Sequence, residues 1–108
     1  MIRKLRFTTQ ARDDLRAISD FVSDASGSED IAESFLSQLI ERCRHVASLP
    51  GTLGTLRTEL RDDIRSTPHK GYVIFFRYQD DALEVVDILH GSRDSTAHFR
   101  SDDDTNLA

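Results

Sequence analysis

Apolar residues recur along the first part of the chain at the spacing of an amphipathic helix. Between Thr8 and Ser26 they fall three or four residues apart, and charged side chains occupy the opposite face. The recurring positions are Ala11, Leu15, Ile18, Val22 and Ala25. This pattern predicts a first helix with one apolar face, which Thr8 or Thr9 can cap at its N-terminus.

A second and wider apolar stripe predicts a helix that ends near Pro50, because proline cannot continue the hydrogen-bond ladder. The stripe contains Ile31, Ala32, Phe35, Leu36, Leu39, Ile40, Cys43, Val46 and Ala47. In the turn between the helices, Gly27 is free to take a positive φ and Ser28 can cap the second helix. The two helices are therefore expected to form an αα-hairpin.

The second part of the chain has the composition of β-strands. A short strand is predicted from Ile64 to Thr67, a central strand from Tyr72 to Tyr78, and its hairpin partner from Leu83 to His90. The last two segments are rich in β-branched and aromatic residues and are separated by a polar turn.

The remaining segments complete an α+β fold. Residues 2–7 suit a short N-terminal strand, and residues 50–63 show no period and are expected to form an irregular loop. The predicted architecture is an N-terminal strand and an αα-hairpin packed on a small antiparallel β-sheet. We expect a single domain over residues 1–99 and a polar, disordered tail over residues 100–108.

Composition indicates a cytoplasmic protein with no membrane segment. The basic residues near the N-terminus are not followed by an apolar run, so they do not form a signal peptide. No segment approaches the roughly 18 apolar residues that span a bilayer. The single cysteine, Cys43, lies on the apolar stripe of the second helix and is expected to be a small core residue.

Charge and motifs exclude several kinds of chemistry. The net charge of −5 argues against broad affinity for nucleic acid, although Asp102, Asp103 and Asp104 of the tail contribute much of it. The four histidines fall on different predicted elements and there is one cysteine, so no metal site is expected. There is also no phosphate-binding glycine loop, and no cofactor is expected.

Arginine and histidine near strand ends are the candidate functional residues: Arg65, Arg77, His90 and Arg93. Adjacent antiparallel strands lie about 4.8 Å apart, so these side chains could converge on one face or edge of the sheet. Such a basic patch would suit an anionic partner surface or RNA. In the alternative interpretation, which spacing alone favours, Arg65 and Arg77 pair with carboxylates of the last strand and His90 is an ordinary strand-end residue.

Five segments, in this order and on this frame, resemble the ParE branch of the ParE/RelE toxin superfamily. The resemblance covers residues 2–99, and no single segment is diagnostic alone. The segments are Phe7–Leu15, Leu49–Gly54, Arg57–Arg65, Tyr72–Tyr78 and Ile88–Asp94.

The resemblance implies the toxin of a type II toxin–antitoxin module, a class linked to growth arrest and plasmid stabilisation. Toxins of this branch inhibit DNA gyrase by direct binding, so the target-binding residues would be His90, Arg93 and Phe99, with Arg77 and Arg65. The resemblance also implies a ParD-like antitoxin whose C-terminal segment wraps the toxin along the helices and sheet in a hetero-oligomer. No residue is assigned to catalysis.

Two alternatives to gyrase inhibition stay open. RelE-like relatives are ribosome-dependent mRNA endoribonucleases, a reaction that requires a base and a cluster of cations around the scissile phosphate. The chain has no tyrosine after Tyr78 and no lysine after Lys70, and its acidic balance disfavours docking on ribosomal RNA. The other alternative is an inactive homologue that only binds antitoxin. The pI of 5.2 departs from the basic character of toxins paired with acidic antitoxins.

Overall fold

A computed structural model describes residues 3–91 and Phe99 of the chain. The N-terminal strand, the helical hairpin and the sheet are all present, which confirms the α+β class. The expected tail lies outside the described residues. In chain order the elements are β1 (Lys4–Phe7), α1 (Thr9–Ser26), α2 (Glu29–Ser48), β2 (Thr55–Leu56), β3 (Arg65–His69), β4 (Tyr72–Gln79) and β5 (Ala82–His90).

The helical hairpin is capped as its sequence predicts. The Thr8 hydroxyl oxygen accepts a hydrogen bond from the Ala11 backbone N–H at 3.1 Å. The Ser28 hydroxyl accepts one from Ile31 N–H at 3.2 Å. Gly27 ends α1 with φ at 71°, the left-handed conformation that glycine adopts without a Cβ penalty. Neither of the two helices is long and apolar enough to cross a bilayer.

The sheet is mixed, with strand order β1-β5-β4-β3-β2. The pairs from β2 to β5 are antiparallel, but β1 joins β5 in parallel, with Lys4 opposite Ala82 and Phe7 opposite Val85. The expectation of an antiparallel sheet therefore holds for four strands. An alternating sequence indicates which side chains share a face, but not the direction in which a distant strand pairs.

The main core lies between the hairpin and one face of the sheet. Leu39 of α2 and Val85 of β5 are fully buried there. Cys43 is also buried, and its burial raises the pKa of the thiol to about 12. It is thus the small core residue that the sequence predicts, and it remains a thiol at neutral pH.

A second apolar cluster covers the opposite face of the sheet. Leu60, from the segment predicted as an irregular loop, and Ile64, the first residue of the predicted short strand, pack there with Phe75, Leu89 and Phe99. The predicted loop also contains β2, a two-residue strand that no pattern in the sequence indicates. Because β4 is buried on both faces, its sequence reads as a nearly continuous apolar run rather than an alternating one.

The loop that follows α2 is tied to the sheet at Leu53 and Gly54. The Leu53 N–H donates to the Tyr78 hydroxyl at 2.9 Å, and the Leu53 carbonyl accepts from Arg65 Nε at 2.9 Å. Gly54 has φ at 79°, and a Cβ there would lie 2.7 Å from the Ser66 carbonyl oxygen. Close approach to β3 therefore requires glycine at this position.

Gly54→Ala is expected to lower the free energy of unfolding by about 3 kcal/mol, because a left-handed conformation and an overlap with β3 are both penalised. Gly51→Ala is the matched control. Gly51 also has a positive φ, 73°, but its Cβ would meet no atom within 4 Å. This control should lose only about 1 kcal/mol. Urea denaturation of both variants measures the difference, and equal losses would show that the overlap is relieved without cost.

Candidate functional site

Three ring side chains lie side by side at one end of the sheet, on the side that the helices cover. The register places Tyr72 opposite both His69 and His90. The Tyr72 and His90 ring centroids are 5.3 Å apart, with the ring planes at 89°. Phe35 of α2 packs on the group, 5.7 Å from Tyr72 and 6.3 Å from His69. We call these four residues the ring row.

Helix α1 lies beside the ring row because its N-cap, Thr8, and Asp14 in its second turn bind the edge of β5. Strand β1 pairs with β5 only as far as Val85. Beyond that point the Thr8 hydroxyl donates to the Val86 carbonyl at 3.0 Å, and Ile88 N–H donates to Asp14 Oδ2 at 2.9 Å. These bonds align α1 with the end of β5 and so bring later residues of the helix near His90.

A small cavity of about 160 Å³ opens between α1 and the end of β5. Asp14, Ala17 and Phe21 line it from the helix, and Tyr72 and His90 from the sheet. Phe21 is 62% exposed, an unusual position for a phenylalanine on a helix that packs on a sheet. Phe21 and His90 therefore form an exposed aromatic patch at this end of the molecule.

The protonation states of His69 and Tyr72 follow from burial. Desolvation lowers the pKa of His69, and the nearby charges of Lys70 and Arg42 lower it further. Desolvation also raises the pKa of the Tyr72 hydroxyl. At neutral pH both groups are therefore uncharged. Lys70 itself donates a hydrogen bond to Gln38 of α2.

The geometry favours contact over proton transfer. The Nε2 atom of His69 is buried and has no hydrogen-bond partner within the described residues. Tyr72 is only 9% exposed. A general base or acid must reach its substrate within hydrogen-bond distance, and neither group is placed to do so. Of the ring row, His90 is the exposed member.

The structure does not bring the two arginines together with His90, the first of the two interpretations left open by the sequence. Arg65 lies opposite Phe76 in the register, whereas Arg77 is the next residue of β4, so the two arginines point to opposite faces of the sheet. Arg77 binds Glu84 at 2.8 Å, as the alternative interpretation predicts. Arg65 instead donates to the carbonyl of Leu53.

Phe99, expected to contact a target, is a core residue. It is 3% exposed and its ring lies 5.2 Å from that of Phe75, on the face of the sheet opposite to His90. In this position the ring is not available to a partner. Arg93, the remaining candidate, lies outside the described residues.

Two arginines that the sequence did not single out pack on this second face. The guanidinium carbon of Arg57 lies 5.8 Å from the centre of the Phe75 ring, and that of Arg61 lies 5.5 Å from the centre of Phe99. Such cation–π contacts stabilise the segment over the second cluster. Their spacing of four residues could have indicated that both arginines lie on the same side of the segment. The segment has no apolar periodicity, however, so the sequence did not identify it as an ordered element.

Carboxylates neutralise several of the cations near the sheet. Arg77 also lies 3.5 Å from Asp63, Arg57 binds Glu59 at 2.7 Å, and Lys4 lies 3.4 Å from Asp81. No group of three or more potential metal ligands occurs among the described residues. Among the described residues, these three cations are therefore held in ion pairs.

Comparison with known proteins identifies a family and its fold. The family model described as ParE toxin of type II toxin-antitoxin system, parDE, matches residues 5–95. Among solved structures, the chromosomal ParDE TA system from P. aeruginosa is similar with a TM-score of 0.70 and 18% identity, over 82% of this chain and 96% of that chain.

A second similar structure is the toxin-antitoxin complex RelBE2 from Mycobacterium tuberculosis. Its TM-score is 0.61 at 21% identity, over 86% of this chain and 95% of that chain. At such identities the likeness to both structures shows the fold alone. No curated protein matches the chain.

Acidification is expected to destabilise the protein through His69. Because burial lowers the pKa of His69 from 6.5, the unfolded chain binds a proton more readily than the folded one as pH falls through that value. The free energy of unfolding should therefore fall between pH 7.5 and 5.5, and His69→Gln should reduce this slope. Urea denaturation across the range measures it. His45→Gln, at an exposed position of α2, is the control, and equal slopes in all three proteins would contradict the assignment.

Proposed function

The chain belongs to the ParE toxin family of type II toxin–antitoxin systems, and on this premise we propose that it acts by binding DNA gyrase and is neutralised by a cognate ParD-like antitoxin. The observation that carries the proposal is the exposed aromatic patch of Phe21 and His90. Aromatic side chains that stay exposed on a folded domain are typical of protein contact sites, where they bury large areas at low entropic cost.

The proposed contact surface differs from the one expected from sequence. The proposed surface still includes His90, and it now also includes Phe21. We keep Arg93 in the proposal because this residue follows His90 closely in the chain. Phe99 leaves it because the ring is buried. Arg65 and Arg77 also leave it, since each is bound elsewhere and neither is part of the ring row.

The burial of His69 and Tyr72 supports binding rather than cleavage. Phosphodiester cleavage requires a group that accepts a proton and cations that stabilise the charged transition state. His69 Nε2 is buried, and the net charge of −5 opposes docking on ribosomal RNA.

A ribosome-dependent mRNA endoribonuclease is the second candidate function, and one observation favours it. Arg42 and Lys70 lie near enough to His69 to lower its pKa, so two cations and two neutral rings occur together at this end of the sheet. Catalysis would require these groups to become more exposed when the protein binds a ribosome. The fold does not distinguish a gyrase inhibitor from an endoribonuclease, since the RelBE2 complex is similar in structure as well.

An antitoxin partner is supported by what the similar structures contain. One is named as a ParDE TA system and the other as a toxin-antitoxin complex. We infer that this chain likewise forms a hetero-oligomer with a cognate antitoxin.

Purified protein is expected to inhibit DNA supercoiling by gyrase, and the cognate antitoxin to restore it. His90→Ala and Phe21→Ala should each raise the concentration for half inhibition about fivefold to tenfold, because each removes an exposed ring from the contact. His45→Ala is the matched control and should leave inhibition unchanged. Thermal unfolding of each variant verifies that the fold is intact.

The same preparations separate the two candidate functions. Primer extension on translated mRNA should show no added cuts if the toxin only binds gyrase. Unchanged supercoiling at saturating toxin, together with discrete cuts in mRNA, would replace gyrase inhibition by the nuclease. Unchanged supercoiling without cuts would indicate a homologue that only binds antitoxin.

A further inference from the structure

Two cations lie where the second half of α2 meets the end of β3. Arg42 of α2 donates a hydrogen bond from Nη2 to the Thr67 hydroxyl at 3.0 Å. Lys70, in the turn that follows β3, donates one to the side-chain oxygen of Gln38. Two hydrogen bonds thus join α2 to this end of the sheet, and both acceptors are uncharged. We call Arg42 and Lys70 the cation pair.

The two members of the cation pair act on the same small region. Gln38 and Arg42 are four residues apart on α2, so they lie on one face of the helix. Thr67 and His69 are two residues apart on β3 and lie on one face of the strand. The charges of Lys70 and Arg42 both help to lower the pKa of His69, which places both cations near that ring. A single small ligand can therefore meet both.

The charge of the cation pair is not neutralised by the protein. Among the described residues, no carboxylate lies within ion-pair distance of Arg42 or Lys70. Many other cations of the described chain do have a carboxylate within 4.0 Å; these are Lys4, Arg6, Arg16, Arg57 and Arg77. In a chain of net charge −5, two neighbouring cations without a counter-charge form a local positive potential that attracts an anion.

Most hydrogen-bond donors of the cation pair are available. A guanidinium has five N–H donors and an ammonium has three, and each group uses one of them on a described protein acceptor. Thr67 is buried, so its hydroxyl holds the guanidinium of Arg42 in place and reduces the entropy lost when a ligand binds. Phosphate oxygens suit such donors, because Arg and Lys form charge-assisted hydrogen bonds with them.

The edge of β3 beside the cation pair does not suit an added peptide strand. Strand β2 pairs only with Arg65 and Ser66, so it does not cover β3 from Thr67 onward. The next residue is Pro68, which is exposed and has no N–H to donate to another strand. A phosphate needs only the side-chain donors that are present here. The ligand class that the site favours is therefore a small oxyanion.

We propose that the cation pair binds a phosphate group, with the Arg42 guanidinium on two of its oxygens and the Lys70 ammonium on a third. The group can come from free phosphate, from a phosphomonoester or from the phosphodiester of a nucleic acid, since all three present the same oxygens. The exposed aromatic patch of Phe21 and His90 is not part of this site. The inference therefore goes beyond the proposed function and does not depend on gyrase binding.

NMR of the full chain, titrated with inorganic phosphate in about 0.1 M sodium chloride, tests the site. The largest changes in chemical shift should fall on residues 38–42 and 67–70, with millimolar affinity, because both cations are partly solvated. Sodium chloride added to the same ionic strength should not reproduce these changes. A short single-stranded oligonucleotide then identifies the source of the group. Tighter binding at the same residues would indicate a nucleic acid, and binding of phosphate alone would indicate a free phosphate or a monoester.

Matched charge variants locate the ligand. Arg42→Gln with Lys70→Gln should weaken phosphate binding by about fivefold or more, because both charge-assisted contacts are lost. Lys4→Gln with Arg44→Gln removes the same charge from exposed positions elsewhere, and should change the affinity by less than about twofold. Arg42→Lys keeps the charge and should stay within about threefold of the original affinity. Thermal unfolding verifies that each variant is folded.

His69 provides a second readout, which a merely structural role of the cations would not change. An anion held by Arg42 and Lys70 opposes their effect on the ring, so it should raise the pKa of His69. Sulfate is the probe, because phosphate itself titrates near neutral pH. Tyr72, which also faces His69, stays uncharged there because its pKa is raised. The ring signals of His69, followed by NMR against pH with and without saturating sulfate, measure the change.

Three outcomes would overturn the proposal. Shift changes that are absent from residues 38–42 and 67–70 would mean that phosphate does not bind there. Equal losses in the two double variants would reduce the effect to net charge. A pKa of His69 that does not respond to sulfate would place the anion away from the cation pair. Gyrase inhibition is measured separately, so failure here leaves the proposed function untouched.

Discussion

The outward edge of β5 past Val85 is the constraint on which the rest of the fold depends. Strand β1 ends there, so the next backbone groups of β5 need partners other than a strand. The Thr8 hydroxyl binds Val86 and the Asp14 carboxylate binds Ile88; Thr8 caps α1 and Asp14 lies in its second turn. The hydrogen bonds that pair these backbone groups of β5 therefore also orient the helical hairpin and bring Phe21 near His90. A register shift in the pairing of β4 with β5, beside Phe75 and Phe76, lies next to this point.

Features set by neighbouring residues were predictable from sequence, and those set by distant ones were not. The caps at Thr8 and Ser28 and the left-handed Gly27 depend on chemistry within four residues, and the pattern indicated all three. The parallel pairing of β1 and the covering role of residues 57–64 depend on contacts across the sheet. Apolar periodicity does not indicate which strands pair with each other, so these features became known only from the structure.

The candidate site likewise has features that the sequence indicates and features that depend on distant residues. His90 was recognisable as the exposed end of a strand, but its ring contacts with Tyr72 and, through it, Phe35 join three elements. The arginines were misplaced because a shift of one residue along a strand moves a side chain to the other face. Knowing that β3 and β4 connect through Lys70 and Gly71, with His69 opposite Tyr72, would have placed Arg77 on the far side from Arg65.

The pairing of β1 with β5 also bears on when the protein can fold. Thr8 and Val86 are 78 residues apart, so the first strand has no neighbour until nearly the whole domain has left the ribosome. At synthesis rates of about 5–20 residues per second, that wait lasts several seconds. During it the helical hairpin, whose contacts are local, can form, while the sheet and the aromatic patch cannot. A nascent chain is therefore without its proposed binding surface, and a co-translated partner has this interval in which to reach it.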